Sequence, residues 1–475
     1  MSVELELYQR VTSTNTVYSM NRARWLFLLE SYMGGDEYRE GAYLTKYALE
    51  TDDQYKARLL ATPLDNHCRS VISVYNSFLF REEPDREFGS MYLNPSLPGF
   101  LDDADLEGRS LNDCMKEVAT WASVFGHTWL LLSKPNIGAR TLADEIASGV
   151  RPYLSIITPL TVYDWQFARD VAGRYRLTYF KYVDDVNEQI SAIIEWTESE
   201  ITTSLVDNKN KKVNSVETVP NNLGYIPVIC SYNQKSAIRG IGISDITDIA
   251  DQQRAIYNEL SEIEQAQRLA GHPSLVATEN TKIGSGAGSI IYMADDIDPG
   301  LKPYLLATDG ASIDTIWNSI ANRIESIDKM ANTGAVRSST ASTLSGVAME
   351  TEFQLLNARL SAKADSLELT EEQLWKIWAN YQATNWDGSI DYPGSFAIHD
   401  EQNDFAMLKL AKDTASGPEA IALVDLRIRQ LLDDPRLSTE VEEPEEAADY
   451  AIEMAVLTAP SVNVADVVPP TPEEL

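Results

Sequence analysis

Two long segments with apolar residues at helical spacing stand on either side of a short stretch built from turns and small strands. In the first, Ser244 to Leu269, the positions Ile246, Ile249, Ala250, Ile256, Tyr257, Leu260 and Ile263 recur at steps of three and four. At 1.5 Å per residue such a helix is roughly 39 Å long. In the second, Ser312 to Ala331, Ile313, Ile316, Trp317, Ile320, Ile324, Ile327 and Met330 do the same. Between them, Gly271 and Pro273 end the first helix, and GSGAGS, Tyr292 and the acidic run ADDIDPG read as an independent module of short strands and turns. A chain with this bracket has to place two long apolar stripes that the module is too small to cover.

The rest of the chain supplies candidate partners. Asp52 or Asp53 opens a segment in which Tyr55, Leu59, Leu60, Leu64, Cys68, Val71, Ile72 and Tyr75 keep the helical period, predicting one helix that runs towards Phe80 and stops before Pro84. Ser110 caps a second helix carrying Leu111, Met115, Val118, Ala119, Ala122 and Phe125, which Gly126 ends. From His127 to Val219 the runs HTWLLLS, PYLSIIT, LTVYDWQF, YRLTYFKYV, SAIIEWT and ITTSLV predict a mostly antiparallel sheet, with DNKNKKVNS as a solvated hairpin tip. After Ala331, NTGAVRSSTASTLSG has no apolar period and reads as a polar, flexible loop. A third helix, Val347 to Thr384, sets Phe353, Leu356, Leu360, Leu367, Leu374, Trp378 and Tyr381 on one face, and the remainder from Asp400 reads as helical until the end VVPPTPEEL. The expected fold class is α+β, with no internal repeat.

Charge narrows the function. With 72 acidic against 39 basic residues, the net charge is -33. Affinity for nucleic acid comes mainly from Lys and Arg contacts that release counterions, so this balance argues against gripping DNA. It permits enclosing DNA, because an acidic wall leaves a moving duplex few places to stick, and it equally permits a merely soluble acidic surface. No run is long and apolar enough to cross a membrane, and the start MSVELELYQRV lacks the order of a signal peptide, so the expected setting is the cytosol, with no membrane partner. Cys68, Cys114 and Cys230 have neither disulfide nor zinc spacing and read as buried small hydrophobes.

Motifs for chemistry are missing from the sequence. There is no GxxxxGK[ST] to hold a nucleotide, and GSGAGS opens no helix that could aim its N-terminus at a phosphate. With four histidines, no HExxH and no GxSxG, the metalloprotease and serine hydrolase readings lack their central groups. Acidic pairs such as Asp52-Asp53, Asp184-Asp185 and Asp295-Asp296 lack the ligand spacing of a calcium loop. No catalytic residue, cofactor or metal is expected.

The order of elements resembles that of the bacteriophage portal family, head-to-tail connector rings of double-stranded DNA phages. GIGISDITDIADQQRAIYNELSEIEQ resembles the first stem helix of that family, and LSGVAMETEFQLLNARL the stretch where the tunnel loop joins the long wing helix. VISVYNSFLFREEP is similar to the end of the first wing helices, and LTVYDWQF with LGYIPVICSYN to the strands before the first stem helix. The resemblance implies a wing over 1-240 (helices, then a β-rich region), a first stem helix over 241-269, a clip over 270-311 and a second stem helix over 312-331. A tunnel loop over 332-345, a long wing helix and its return over 346-399, and a short crown and tail over 400-475 complete it.

By the same resemblance, Arg337, Ser338, Ser339 and Thr340 stand where the channel narrows around DNA, and Lys282, Tyr292, Asp295 and Asp296 on the clip that docks the adaptor. Arg337 is the only charged residue between Lys329 and Glu350, which suits weak, repeated phosphate contact. The partners implied are further copies of the chain in a ring of twelve, the duplex passing through it, the major capsid protein, the terminase motor and a head-to-tail adaptor. The setting implied is the virion, with assembly in the host cytoplasm, and the ring would be passive, its force supplied by the motor. The modest length argues against a long helical barrel.

Two other readings stay open at this stage. An acidic cytosolic hydrolase or transferase with a mixed sheet would use carboxylate clusters as acid and base and would show a deep pocket. Another virion connector would also be oligomeric, but it does not call for two long helices around a small module.

Overall fold

In the computed structural model, residues 3-135, 148-187, 189-271, 274-276, 282-283, 291-292, 298, 304-306, 310-337, 346-396 and 408-412 are described. The chain divides into two compact units, Met1–Ala397 and Ile398–Leu475. In the second unit the described residues are a helical turn at 408-412. The expected crown and tail otherwise lie outside the described residues.

The first unit opens with helices α1 (Val3–Val11), α2 (Thr16–Met33), α3 (Gly35–Glu40), α4 (Asp52–Ala61) and α5 (His67–Leu79). The single helix expected from Asp52 to Phe80 is therefore two. Pro63 forces the preceding Thr62 out of the helical region, to ψ 122°, and Asn66 restarts the chain by accepting from the backbone N–H of Arg69 at 2.8 Å. The first of them starts at Asp52 as expected, and Thr51 caps it by making the capping box with Gln54. Strand β1 (Asp85–Glu87) and α6 (Leu97–Asp102) lead to α7 (Leu111–Phe125). This helix follows its sequence pattern: the Ser110 hydroxyl caps it, its six predicted apolar residues are buried, and Gly126 ends it at φ +90°.

The β-rich region is antiparallel as expected, in two sheets. Strands β2 (His127–Ser133), β3 (Tyr153–Ile157) and β9 (Val228–Tyr232) form one in the order β3-β2-β9. Strands β4 (Val162–Arg169), β5 (Tyr175–Asp185), β6 (Ile190–Thr197), β7 (Glu200–Asp207) and β8 (Lys212–Pro220) form a five-stranded meander. β2 is buried along nearly its whole length, because α7 and the C-terminal long helix lie against it, whereas β8 is almost wholly exposed at the edge. Residues 208-211, within the basic hairpin expected, turn β7 into β8.

The bracket follows. Helix α8 (Thr247–Gly271) precedes the short strands β10 (Ser274–Val276), β11 (Lys282–Ile283), β12 (Ile291–Tyr292) and β13 (Tyr304–Leu306), and α9 (Gly310–Ala331) follows them. β10 pairs with β13 and β11 with β12, both antiparallel, so the module is a nested hairpin. A short helix α10 (Gly334–Arg337) stands where the sequence predicts only irregular loop, and α11 (Gly346–Tyr381) and β14 (Ser389–Asp391) close the unit. One large core joins the parts: Trp25, Tyr75, Phe125, Trp129, Phe180, Trp375 and Trp378 all belong to it.

Candidate functional site

The two bracket helices bury their stripes against each other and against the N-terminal helices. Ile256, Tyr257, Leu260 and Ile263 of α8, and Ile320 and Ile327 of α9, are buried. Polar pairs mark an antiparallel register: Arg323 donates to Glu259 at 2.9 Å and to Gln252 at 3.0 Å, and Ser319 donates to Glu259 at 2.8 Å. Not every residue of the predicted second stripe goes inward. Trp317 is 47 % exposed and Met330 is also exposed, because the helix turns only part of its apolar surface to the rest of its own chain.

At the end away from the small module, α8 and α9 are tied to α11 by a buried charge cluster. Asp245, just ahead of α8, accepts from Arg359 at 3.0 Å and from Lys363 at 2.5 Å, both on α11, and from Asn233 at 3.0 Å. Lys363 also donates to Ser123 at 3.0 Å and to the side-chain oxygen of Asn233. Arg359 reaches the carbonyl of Met330 at 2.9 Å, and Tyr75 donates to the carbonyl of Ala331 at 2.5 Å, so the last turn of α9 is held as well. Both cations lie over the Tyr75 ring, at 5.3 Å and 5.2 Å from its centroid. Burial pushes the Asp245 carboxyl up, but Lys363 and Arg359 outweigh it and hold it below its ordinary value. Burial drives the Lys363 ammonium down, and Asp245 only partly restores it.

The segment after α9 is fastened in the same region. Asp328 accepts from the backbone N–H of Thr333 through its carbonyl at 3.0 Å, which turns the chain into α10. Its carboxylate pairs with Arg337 at 2.8 Å, and a second Arg337 nitrogen lies 2.9 Å from Nδ1 of His67, at the start of α5. The two side chains of the pair are 11 % and 7 % exposed. The Arg337 guanidinium, expected where the channel narrows, is thus paired within its own fold. Ser338, Ser339 and Thr340, which follow it, lie outside the described residues.

Of the residues expected on the small module, Lys282 and Tyr292 are backbone register partners in the β11-β12 pair. Asp295 and Asp296 lie outside the described residues. Arg337 and the two module residues are therefore on separate elements, and the structure does not join them into one site. Sequence reasoning missed Asp245, Lys363, Asp328 and His67. Lys363 carried a signal, since it falls three residues after Leu360 and four before Leu367, inside an apolar stripe, where a charge needs a buried partner. Asp328, beside Ile327 on the buried side of α9, carried the same signal more weakly.

Among the described residues no group of acidic, His or Cys side chains could hold a metal ion, and no helix is long and apolar enough to cross a membrane. What the geometry organises is a pair of long helices, a small terminal module and an anchored loop. A matching family model gives that arrangement its class: it describes phage portal proteins and spans residues 28–411. The chain belongs to this family, whose description reads Phage portal protein, SPP1 Gp6-like, and is by that membership a structural virion protein. No curated protein matches the chain.

Proposed function

We propose that the chain forms a ring of twelve copies at one capsid vertex, through which double-stranded DNA enters during packaging and leaves during ejection. In this reading α8 and α9 are the stem, residues 270-311 the clip, and residues 332-345 the tunnel loop. The clip, with Lys282, Tyr292, Asp295 and Asp296, docks the terminase motor and later the head-to-tail adaptor, while the wing meets the major capsid protein. The ring is passive and no enzyme, force being supplied by the motor.

The observation that carries this is the junction: one buried cluster, Asp245 with Arg359 and Lys363, ties the ends of both stem helices to the long wing helix. A load applied along the stem is passed into the wing without a flexible joint. In this reading the tunnel loop, with Arg337, Ser338, Ser339 and Thr340, meets the duplex, and Arg337 also ties its first turn to Asp328. Hydroxyl contacts to phosphate position without strong grip, which suits DNA that must slide.

Electron microscopy of the purified 475-residue chain, with mass determination in moderate salt, tests this. Rings of about a dozen subunits around a duplex-wide hole are the expected result. A compact monomer without a hole overturns it.

A further inference from the structure

The chain is strongly acidic, yet one surface gathers five cations of which Arg176 alone has an ion pair among the described residues. It is built from the tip of the β4-β5 hairpin, where Arg169, Arg174 and Arg176 stand, and from the loop after β9, which brings Lys235 and Arg239; all five are exposed. The loop is seated firmly on the hairpin. Trp165 of β4 donates its indole N–H to the Arg239 carbonyl at 3.1 Å, and Gly240, at φ +76°, lies so close that a Cβ there would stand 2.2 Å from the indole nitrogen. The guanidinium carbons of Arg239 and Arg169 lie 3.4 Å and 4.8 Å from the centroid of the Tyr175 ring. Hydrogen bonding and charge from Arg169, with the charge of Arg239, draw the Tyr175 phenol below its ordinary value.

Asp170, at the hairpin tip, is engaged by the turn and by Arg176. Asp170 accepts from the backbone N–H groups of Ala172 and Arg174 at 2.9 Å and 2.8 Å, which closes the hairpin turn, and pairs with Arg176 at 3.2 Å. Arg169, Arg174, Arg239 and Lys235 make no ion pair among the described residues. Two guanidinium groups held against one ring repel each other, and a bound anion relieves that repulsion. Stacking on Tyr175 also fixes them in advance, so less side-chain freedom is lost on binding, and their planar donor forks match phosphate oxygens.

We propose that this hairpin surface binds the phosphodiester backbone of duplex DNA, without regard to sequence, as a second DNA contact apart from the stem and tunnel loop. The proposal rests on the portal reading only for the presence of DNA. The net charge does not oppose it at physiological salt, because fields from acids further than about 8 to 10 Å are largely screened.

The test is binding of a fluorescently labelled duplex to the 475-residue chain across a salt series, comparing wild type, Arg169→Ala/Arg239→Ala and the charge-matched control Lys56→Ala/Lys209→Ala, whose lysines are exposed on other elements. Micrographs of each sample report ring formation. The expected result is about tenfold weaker binding by the arginine variant near 0.1 M salt, with the salt slope reduced by about one to two units, intact rings, and a control like wild type. Equal binding by wild type and the arginine variant, or no duplex binding by wild type, overturns the proposal while leaving intact rings as support for the portal reading. Loss of rings in the arginine variant, with or without weaker binding, means that these cations meet an acidic face of a neighbouring copy, and overturns it too. Absence of rings in wild type defeats the portal reading by itself, and the binding comparison still decides this proposal.

Discussion

Arg337 stands 2.8 Å from the Asp328 carboxylate and 2.9 Å from Nδ1 of His67, linking the start of the polar loop to the last turns of α9 and the first turn of α5. Because both partners of the ion pair are nearly buried, removing one leaves an uncompensated charge, which typically costs about 3 to 5 kcal/mol. Arg337→Ala is expected to lose stability on that scale and Arg337→Lys less, since one ammonium cannot serve both partners. Urea unfolding of the three proteins checks this, and an unchanged Arg337→Ala midpoint would mean that Arg337 does not anchor the loop.

Asp245 is the hub of the junction between stem and wing. Asp245→Ala strands the buried Lys363, and leaves the half-buried Arg359 without its carboxylate, and is expected to cost about 3 to 5 kcal/mol. Adding Lys363→Met to it removes one stranded charge, so the double variant should be more stable than Asp245→Ala alone. Additive losses in a double-mutant cycle would show that the two residues do not interact.

Buried His127 and half-buried His67 set an acid limit. Burial pushes His127 down to about 3, and burial together with the Arg337 charge lowers His67. A histidine depressed in the folded state gains its proton first in the unfolded chain, near pH 6.5, so stability is intact above that pH and falls as the pH drops towards the folded value. The slope contributed is at most about 1.4 kcal/mol per pH unit per histidine. The urea midpoint should therefore fall between pH 7 and 5, and His67→Gln should flatten that fall. A variant with the wild-type slope would show that His67 is not neutral in the fold.

Trp317 leaves a large apolar surface uncovered on the outer side of α9. If copies meet along the stem, Trp317→Glu should abolish rings while leaving the helical circular dichroism of the chain unchanged. Rings of wild-type mass from this variant would place Trp317 away from the contact between copies.

Much of the architecture was legible because periodicity reports burial. Of the stripe Phe353, Leu356, Leu360, Leu367, Leu374, Trp378 and Tyr381, all but the half-buried Phe353 and Tyr381 are buried, and the stripe of α7 is buried throughout. The α8 helix runs Thr247–Gly271 where Ser244 to Leu269 was expected, a difference within the fraying of helix ends. The break at Pro63 was missed, because the apolar period continues across it and hides the restart at Asn66. The α10 turn was not legible: a four-residue helix has no period, and it forms because Thr333 and Arg337 both close onto Asp328.

By itself the sequence determined where apolar stripes, strands and turns fall, the absence of a nucleotide loop, and an acidic balance that disfavours tight DNA binding. Those are properties of residues a few positions apart, or of the whole composition. Only the tertiary structure decided which charges are neutralised. Asp245 and Lys363 are far apart in the chain and 2.5 Å apart in space, Arg337 turns inward to Asp328 and His67, and Arg169 and Arg239 meet at Tyr175 with no ion-pair partner among the described residues. A charge pair depends on a few ångströms of separation and on exclusion of water, and neither is fixed until the elements pack.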